Sequence, residues 1–438
     1  MNGNGNKNNN NGGRKKFLFV SLESLSGDLA WQIKKEGHEV KAFIAKESDR
    51  DVYDGILEKV DDWKKHTDAA DVIVFDDIGF GAEAEALRAA GKAVIGGSRY
   101  TDKLEEDREF GQNEMQKAGM LVLPHWDFDD FDSAIGFIRQ NPGRYVFKPS
   151  GNTPSDQKGI LFLGQDEDGN DLVEILEQNK KAWARKIKKI HLQKMAEGVE
   201  VAVGAFFNGA DFIYPINVNF EHKKLFPGDL GPYTGEMGTL MYWSPENELF
   251  RSTLAKIKPE LAKSGYVGYI DINCIANAKG IYPLEFTSRF GYPTISIQIE
   301  GVTNEWGDFL SRMAKNEKPE LKFKKGFQIG VVIVVPPFPF DDKREAAIYQ
   351  DLSILFRRQN MDGVHLGDVK IVNGTWAVAG DSGYVLVITG SGMTVEETRK
   401  QVYSRVNNIL LQNIYYRTDI GTRWPRDSDR LQMWGYLY

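Results

Sequence analysis

The stretch GYIDINCIANAKGIYPLEFTSRFGYP, residues 268–293, decides the fold because its pattern predicts a polar β-hairpin. The predicted strands are Val267–Ala276 and Ile281–Arg289, and residues 277–280 form the turn between them. Successive side chains of a strand point to opposite faces, so residues two apart collect on the same face. The hairpin is therefore expected to have one apolar face for packing and one polar face for chemistry.

The polar face of this hairpin is a candidate metal site. Asp271 and Asn273 share one face of the first strand. Glu285, Thr287 and Arg289 share one face of the second strand. If the two faces coincide, oxygen ligands and one guanidinium converge on a single point, and hard oxygen ligands suit Mg²⁺. The alternative is a solvent-facing polar surface with a cross-strand ion pair, which is the commoner outcome for such a pattern.

A second candidate is Lys148, in the stretch RYVFKPSGNTPSDQKG at residues 144–159. The lysine ends the predicted strand Tyr145–Lys148 and precedes a polar loop that contains Lys158. Backbone N–H groups of such a loop can hold phosphate oxygens, which a lysine at its start would also meet. The Walker pattern G-x-x-x-x-G-K-[ST] is absent, and a surface lysine in an ordinary connection is the alternative.

A third candidate is the stretch HLQKMAEGVEVAVGAFFNG, residues 191–209. Glu200 falls inside an apolar strand, where a carboxylate is expected to be paired or functional. It could accept hydrogen bonds from a nucleotide ribose, and an edge-strand glutamate is an equally good interpretation. Gln193, Lys194 and Met195 precede it and could form a hinge against an adenine.

The N-terminal part alternates strands with helices, which predicts a parallel sheet covered by helices. The predicted elements are Phe17–Val20, Gly27–Glu36, His38–Ile44, Val72–Phe75, Ala82–Ala90 and Ala93–Ile95. A dinucleotide-binding fold would have G-x-G-x-x-G after its first strand. Residues 21–26 read SLESLS instead, so a dinucleotide site is rejected.

The sequence pattern in the rest of the chain predicts one long helix, a mixed sheet and a final unit with a different pattern of residues. The helix is Asp102–Ala118, with Asp102 as its N-cap. Strands follow at Ile160–Leu163, His191–Met195, Glu200–Phe207 and Phe212–Val218. Beyond Lys325 a separate α+β unit is predicted, with strands Val331–Val335, Val369–Val372, Trp376–Ala379 and Tyr384–Thr389 and the helix Val395–Leu410.

Composition limits the possible functions. The chain has 438 residues, of which 41% are apolar, so several folded units with sizeable cores are expected. A net charge of −7 argues against direct nucleic-acid binding. The single Cys274 excludes an intramolecular disulfide, and its predicted place on the apolar face makes it buried and inert. No apolar run approaches the roughly 18–20 residues of a membrane helix, and the polar start is no signal peptide, so a cytoplasmic location is expected.

Four stretches together resemble glycinamide ribonucleotide synthetase (phosphoribosylamine–glycine ligase), a family of ATP-grasp enzymes. They are EHKKLFPGDLGPYTGEMG (221–238), the hairpin segment 265–293, GVHLGDVKIVNGTWAVAGDSGYVLVITGSGMTVEE (363–397) and YYRTDIGTRW (415–424). Their order and spacing match that family over roughly residues 95–424. The six scattered histidines include no pair with metal-ligand spacing, and only His222 is taken as a candidate for chemistry.

The resemblance implies an α/β and α+β multidomain fold. The implied units are a disordered tail at 1–16, a parallel α/β domain at 17–100, an ATP-grasp domain at 101–325 and a small α+β domain at 326–438. Within the ATP-grasp domain, residues of about 120–195 would form a lid subdomain, and ATP would lie between two sheets. A monomer or a homodimer is expected.

The resemblance also implies roles for individual residues. Lys148 and Lys158 would contact the ATP phosphates, and Glu200 the ribose. Gln193, Lys194 and Met195 would flank the adenine. Glu285 would be the main ligand of Mg²⁺ (or Mn²⁺), with Asn273, Asp271 and Thr287 as further candidates. The implied catalytic residues are Arg289, Glu221, His222 and Lys223, and the implied substrate-binding residues are Gly235, Glu236, Met237, Gly238 and Tyr292.

The implied reaction joins a carboxylate to an amine through an acyl phosphate and releases ADP and phosphate. Its substrates would be an amino acid, glycine or another, and a small amine. Several residues depart from the family pattern at the substrate end, among them Glu221, Thr287 and Tyr292. The glycine-rich loop that binds phosphoribosylamine is also missing. An amine on a modified nucleoside or nucleotide is therefore one alternative, and an inactive ATP-binding homologue is another.

Overall fold

A computed structural model describes residues 13–150 and 160–438 of the chain. Its N-terminal part is a five-stranded parallel sheet in the order β3-β2-β1-β4-β5, as the alternating pattern predicts. The elements are β1 (Lys16–Ser21), α1 (Gly27–Lys35), β2 (Glu39–Ile44), β3 (Glu58–Lys59), β4 (Val72–Phe75), α2 (Gly81–Ala89) and β5 (Val94–Ile95). Residues 17–20 and 72–75 are all buried, because helices and loops cover both faces of a parallel sheet.

The region predicted as one helix, Asp102–Ala118, is two helices, α3 (Arg99–Glu106) and α4 (Arg108–Lys117). The chain bends at Asp107, whose extended backbone ends α3 and whose carboxylate accepts a hydrogen bond from the Phe110 N–H at 3.0 Å. Ser98, not Asp102, caps α3, through a hydrogen bond from the Thr101 N–H at 3.2 Å. An aspartate in mid-pattern thus starts a second helix, since side-chain caps compete with the helical ladder.

A small antiparallel sheet follows, with the strand order β6-β9-β7-β8. Its elements are β6 (His125–Phe128), α5 (Phe131–Gln140), β7 (Tyr145–Ser150), β8 (Phe162–Leu163), α6 (Asn170–Trp183) and β9 (Lys189–Lys194). The two helices cover one face of the sheet, where Phe131, Phe147 and Leu192 belong to a separate apolar core. The other face is free to line a cleft.

The largest element is an eight-stranded sheet in the order β16-β15-β10-β11-β14-β17-β22-β19. Its strands are β10 (Val199–Asn208), β11 (Phe212–Glu221), β14 (Gly238–Ser244), β15 (Val267–Asn277), β16 (Gly280–Thr287), β17 (Phe327–Val334), β19 (Val364–Leu366) and β22 (Tyr384–Gly392). β17 pairs with β14 from Gly238 opposite Val331 to Tyr242 opposite Phe327. The sheet therefore continues across residue 326, and the region predicted as a separate α+β unit supplies three of its strands.

The remaining elements surround these sheets. They are β12 (Lys224–Phe226), β13 (Leu230–Tyr233), α7 (Glu248–Ser252), α8 (Lys258–Ser264), α9 (Thr294–Gly301), α10 (Trp306–Met313), α11 (Lys343–Tyr349), β18 (Ser353–Phe356), β20 (Val369–Val372), β21 (Thr375–Val378), α12 (Val395–Val406), β23 (Ile409–Leu410), α13 (Trp424–Met433) and the 3-10 helices Glu47–Asp49, Trp63–His66 and Leu254–Ile257. β20, β21, β18 and β23 form a further sheet. The predicted helix Val395–Leu410 ends at Val406, because Ile409 and Leu410 pair with β18. Within the described ranges, no helix is long and apolar enough to cross a membrane.

Candidate active site

One face of the eight-stranded sheet is polar where β16, β15, β10 and β11 lie side by side. Asn273 lies opposite Glu285 and Asp271 opposite Thr287, so the two polar faces of the hairpin coincide. Ala202 lies opposite both Asn273 and Asn219, which extends the same face across the next strands. The polar residues that share this face are Glu200, Asn217, Asn219, Glu221, Asp271, Asn273, Glu285 and Thr287.

Lys223 lies at the centre of this face. Its Nζ is 3.2 Å from Glu200 Oε1, 3.5 Å from Glu221 Oε2 and 3.8 Å from Glu285 Oε1. Burial disfavours the ammonium, but the three carboxylates outweigh it and raise the pKa of Lys223 well above its usual value. The site therefore holds a permanent positive charge among three glutamates.

The small sheet faces this polar surface with Lys148. Lys148 lies opposite His191, and Val146 lies opposite Gln193, so these side chains share the face away from α5 and α6. Burial, and next the charge of Arg108, lower the pKa of Lys148 to about 7, although Glu285 and Glu200 oppose the shift. The charges of Glu285 and Glu200 therefore reach Lys148 across the cleft.

Arg108, at the start of α4, completes the positive side of the cleft and was not among the residues predicted from the sequence. Its Nη2 lies 3.5 Å from Glu285 Oε2, and its buried Nη1 finds no hydrogen-bond partner among the described residues. Burial would raise the pKa of Glu285, but Lys223, Arg108 and Lys148 lower it to about 2. Glu285 is thus ionised and lies among three basic side chains. A basic residue next to a helix cap was the only signal in the sequence.

The oxygen atoms at Glu285 and Asn273 fit a magnesium ion. Asn273 Oδ1 is buried, and no hydrogen-bond donor reaches it within the part of the chain that the structure describes. It lies directly across the strand pair from the ionised Glu285, so an amide oxygen and a carboxylate face the same point. Mg²⁺ takes one or two carboxylates and completes its shell with water and phosphate. Asp271 is less suitable, because burial raises its pKa well above the usual range.

The predicted adenine hinge is only partly assembled. Gln193 is buried on the cleft face. The Lys194 side chain lies on the other face, where its Nζ sits 4.7 Å from the centre of the Tyr145 ring. The Met195 N–H donates to the Arg144 carbonyl at 3.0 Å. The Lys194 side chain therefore lies outside the cleft. Lys158, the second predicted phosphate contact, lies outside the described residues.

Arg289 lies just beyond β16 and binds two acidic residues that the sequence analysis missed. Its Nε is 3.0 Å from Glu105 Oε1 and 3.4 Å from Asp77 Oδ1. Glu105 also accepts a hydrogen bond from the Ser288 N–H at 2.8 Å. Burial raises the pKa of Asp77 to about 7 despite the nearby guanidinium. These two ion pairs hold the Arg289 guanidinium in a fixed position at the junction of the N-terminal sheet and the large sheet.

His222, predicted as catalytic, points away from the cleft. It follows Glu221, so it lies on the opposite side of the chain, and it is 1% exposed. Burial, followed by the charges of Arg423 and Arg417, lowers the pKa of His222 to about 3. The neutral ring lies near two arginines and away from the glutamates. His222 therefore packs behind the loop 222–238 and does not line the cleft.

The loop 222–238 is fixed from behind by Arg417, which is almost fully buried. Its guanidinium donates to Asp419 at 2.8 and 2.7 Å, to Asp229 at 2.9 Å and to the Lys224 carbonyl at 3.0 Å. The Gly228 N–H donates to the Asp419 carboxylate at 2.9 Å. The C-terminal stretch 415–424 therefore determines the shape of this loop.

The predicted substrate residues lie along the second half of the loop in different surroundings. Glu236 is buried, and burial followed by the charge of Glu221 raises its pKa well above the usual value. Met237 is fully buried in an apolar cluster with Tyr292, so it packs rather than contacts a polar ligand. Gly238 has φ +150° and touches β17, whereas Gly235 borders open space. Met237 and Gly238 are therefore enclosed by protein atoms, whereas Gly235 is open to the surroundings.

Residues 106–295, which include both faces of the cleft, match the family model described as phosphoribosylglycinamide synthetase, ATP-grasp (A) domain. These residues match an ATP-grasp domain. A phosphoribosylamine–glycine ligase of Streptococcus pneumoniae is 25% identical over 93% of this chain and 99% of its own length. One of Listeria monocytogenes is 25% identical over 83% and 86%. The predicted relationship to this ATP-grasp ligase family is confirmed.

Solved structures support the same fold. The phosphoribosylamine–glycine ligase of Thermotoga maritima is 20% identical, with a TM-score of 0.69 over 93% of this chain and all of its own. A biotin carboxylase of Campylobacter jejuni is 12% identical, with a TM-score of 0.62 over 97% of each chain. The predicted α/β and α+β multidomain ATP-grasp fold is thus confirmed.

Proposed function

We propose that this ATP-grasp protein is an ATP-dependent ligase that joins a carboxylate to an amine through an acyl phosphate and releases ADP and phosphate. The observation that carries the proposal is the meeting of two charge patterns in one cleft. Lys148 and Arg108 provide positive charge from one side, and Glu285 with Asn273 provides oxygen ligands from the other. This arrangement suits a nucleoside triphosphate with its divalent cation.

In the proposed reaction, the cations of the cleft hold the phosphates of ATP in line with a substrate carboxylate. Lys148, Arg108 and Lys223 stabilise the negative charge that develops as the γ-phosphoryl group moves. Glu285 and Asn273 would hold Mg²⁺, which, when bound, neutralises phosphate charge and polarises the transferring group. Catalysis of this type is mainly positioning and electrostatics, so a protein nucleophile is not needed.

The second half-reaction takes place beside the loop 222–238. Arg289 would hold the substrate carboxylate, and later the acyl phosphate, through its planar fork of N–H donors. Gly235 lets backbone N–H groups approach, since no atom lies within 4 Å of the position of a Cβ. The amine attacks the acyl carbon, the C–N bond forms, and phosphate leaves. The loop keeps water from the acyl phosphate.

The proposed donor is glycine or another amino acid. The relatives are named for phosphoribosylamine and glycine. The proposed acceptor is a small amine, and an amine on a modified nucleoside or nucleotide is the alternative to phosphoribosylamine.

The test is the release of ADP and phosphate by the full-length protein with Mg·ATP and mixtures of amino acids and amines. We expect turnover only when a donor and an acceptor are both present, and mass spectrometry should find the amide. Release of ADP without any acceptor, or no turnover over a wide panel, would contradict the proposal. Glu58→Gln, an exposed change outside the cleft, is the control for protein quality.

A second candidate is an inactive ATP-binding homologue. The observation that favours it is the ion pair between Lys223 and the metal-site residue Glu285, at 3.8 Å. If that pair persisted with nucleotide bound, it would compete with a metal ion for the carboxylate. Nucleotide binding that is unchanged by Mg²⁺, together with no turnover, would favour this candidate over the ligase.

A further inference from the structure

A cavity of about 140 Å³ lies where the carboxyl ends of β1 and β2 meet the C-terminal region. In open α/β sheets, ligands bind outside the carboxyl ends of the strands. The side chains that define the chemistry of the cavity are those of Glu23, Lys46, Asp49, Tyr53, Tyr292, Phe338, Asp368 and Tyr384. It is thus an aromatic cavity with three carboxylates and one ammonium.

The cavity is next to the proposed acyl-phosphate site. Tyr292, two residues beyond Phe290 and three beyond Arg289, packs its ring 3.7 Å from that of Tyr384. Both tyrosines belong to the apolar cluster that contains Met237 of the loop. Burial and then the charge of Glu236 raise the pKa of Tyr384, so this carboxyl is also close. A molecule in the cavity therefore lies on the substrate side of the loop.

The acidic groups of the cavity outnumber its one ammonium, although burial raises the pKa of Asp368 well above its usual value and so favours its neutral form. Its one ammonium, Lys46, is already shared by Asp49 at 3.3 Å, Asp381 at 3.2 Å and Glu23 at 3.7 Å. Burial raises the pKa of Asp49 to about 6 even with this lysine beside it. Among the described residues that line the cavity there is no arginine. A phosphate group would meet carboxylates here rather than the donors that it needs.

The backbone N–H groups that follow β1 are also engaged within the protein. The Ser26 N–H and Oγ both donate to the Asp76 carboxylate at 2.8 Å. The Leu25 N–H donates to Ser21 Oγ at 3.2 Å. Asp28 adds a second carboxylate in the first turn of α1. The helix N-terminus, which otherwise favours anions, is thus already neutralised.

One residue that lines the cavity has a polar group without a partner. The Tyr384 hydroxyl is buried, the residue is 3% exposed, and the described residues offer it no hydrogen bond. A buried hydroxyl without a partner is costly and is normally satisfied by a ligand or water. The ring of Tyr384 and those of Tyr53, Tyr292 and Phe338 offer surfaces over which a cation or a methylene chain can lie.

We propose that this cavity binds the acceptor, and that the acceptor is a dicationic aliphatic amine without a phosphate group. One ammonium lies among Glu23, Asp49 and Asp368, and the methylene chain passes the tyrosine rings toward the loop. The far ammonium loses one proton to water, and its amine then attacks the acyl carbon. The C–N bond forms as the C–O bond to phosphate breaks, and a second N–H proton leaves with the phosphate. The role as acceptor rests on the proposed ligase function, whereas the binding of a diamine does not.

The test is calorimetric titration of the full-length protein with 1,5-diaminopentane and with ribose 5-phosphate, each with and without Mg²⁺ and a non-hydrolysable ATP analogue. We expect the diamine to bind and ribose 5-phosphate not to bind. Glu23→Gln should weaken diamine binding about three- to fivefold, as for a partly exposed ion pair. The matched control is Glu58→Gln, because Glu58 is 59% exposed and Glu23 is 60% exposed.

Any of three results would overturn the proposal. One is tighter binding of ribose 5-phosphate than of the diamine, weakened by Lys46→Met. The others are no diamine binding up to millimolar concentration in either condition, and equal effects of Glu23→Gln and Glu58→Gln. Diamine binding that survives in a protein without any ATP turnover would support the cavity and contradict the ligase function, so the two failures are distinguishable.

Discussion

Replacing His222 with glutamine is expected to reduce the acid sensitivity of the fold and to leave ATP turnover nearly unchanged. The ring is 1% exposed and lies between the loop 222–238 and the arginines of the C-terminal stretch. Its pKa is lowered from 6.5 to about 3, mainly by burial. The folded protein therefore keeps this histidine neutral over a pH range in which the unfolded chain protonates it.

The sign and the size follow from this difference. Below pH 6.5 the unfolded state binds a proton that the folded state does not bind, so stability is lost as the pH falls from about 6.5 toward 3. From pH 7 to pH 5 the loss due to this one group is about 2 kcal/mol. For a chain of this length that unfolds as one unit, this equals about 2 °C in the midpoint of thermal unfolding.

The assay is thermal unfolding of wild type and His222→Gln at several pH values between 5 and 7.5, with ADP release measured at pH 7.5. The variant should lose about 2 °C less than wild type between pH 7 and pH 5. His66→Gln, in a 3-10 helix of the N-terminal region, is the control. An unchanged pH dependence would refute the reasoning on burial. A loss of turnover above tenfold in a folded variant would show that His222 acts in catalysis.

Two further predictions concern the same loop. Gly238→Ala should lower the free energy of unfolding by about 2 kcal/mol or more, because the φ of Gly238 is +150° and a Cβ would lie 2.5 Å from the Gly330 carbonyl oxygen. Gly235→Ala is the control, because the Cβ meets open space and the unfolding midpoint should change by less than about 1 °C. Equal midpoints for the two variants would contradict the prediction. Arg417→Met should cost about 3 kcal/mol and make residues 224–233 sensitive to limited proteolysis, since it removes a buried guanidinium from two aspartates; a wild-type digestion pattern would show that the loop is held by other contacts.

The hairpin and its polar face could be predicted because both depend on local rules. Alternation along each strand and a four-residue turn determine which side chains share a face, and the observed register brings Asn273 opposite Glu285. The same rule would also have separated His222 from its neighbours, because adjacent residues of a strand point to opposite sides.

Other parts of the site depend on contacts between distant segments, which no local pattern contains. Arg108 and Glu285 are 177 positions apart, and Glu105 and Arg289 are 184 apart. The pairing of β17 with β14 likewise joins the regions before and after residue 325, where the sequence pattern changes. That change indicated a separate unit, so the continuous sheet could not be predicted from it. The helix break at Asp107 is different, because it could have been predicted from the sequence. Aspartate is a preferred N-cap residue, so its position inside the helical pattern indicates the start of a second helix.

The central claim is that Glu285 and Asn273 hold the metal ion of a bound nucleotide, opposite Lys148 and Arg108. The most direct measurement is calorimetric titration of a non-hydrolysable ATP analogue with and without Mg²⁺, in wild type, Glu285→Gln and the control Glu58→Gln. Mg²⁺ should strengthen binding at least about tenfold, or 1.4 kcal/mol, in wild type and control and have little effect in Glu285→Gln. The same Mg²⁺ dependence in all three proteins would contradict it.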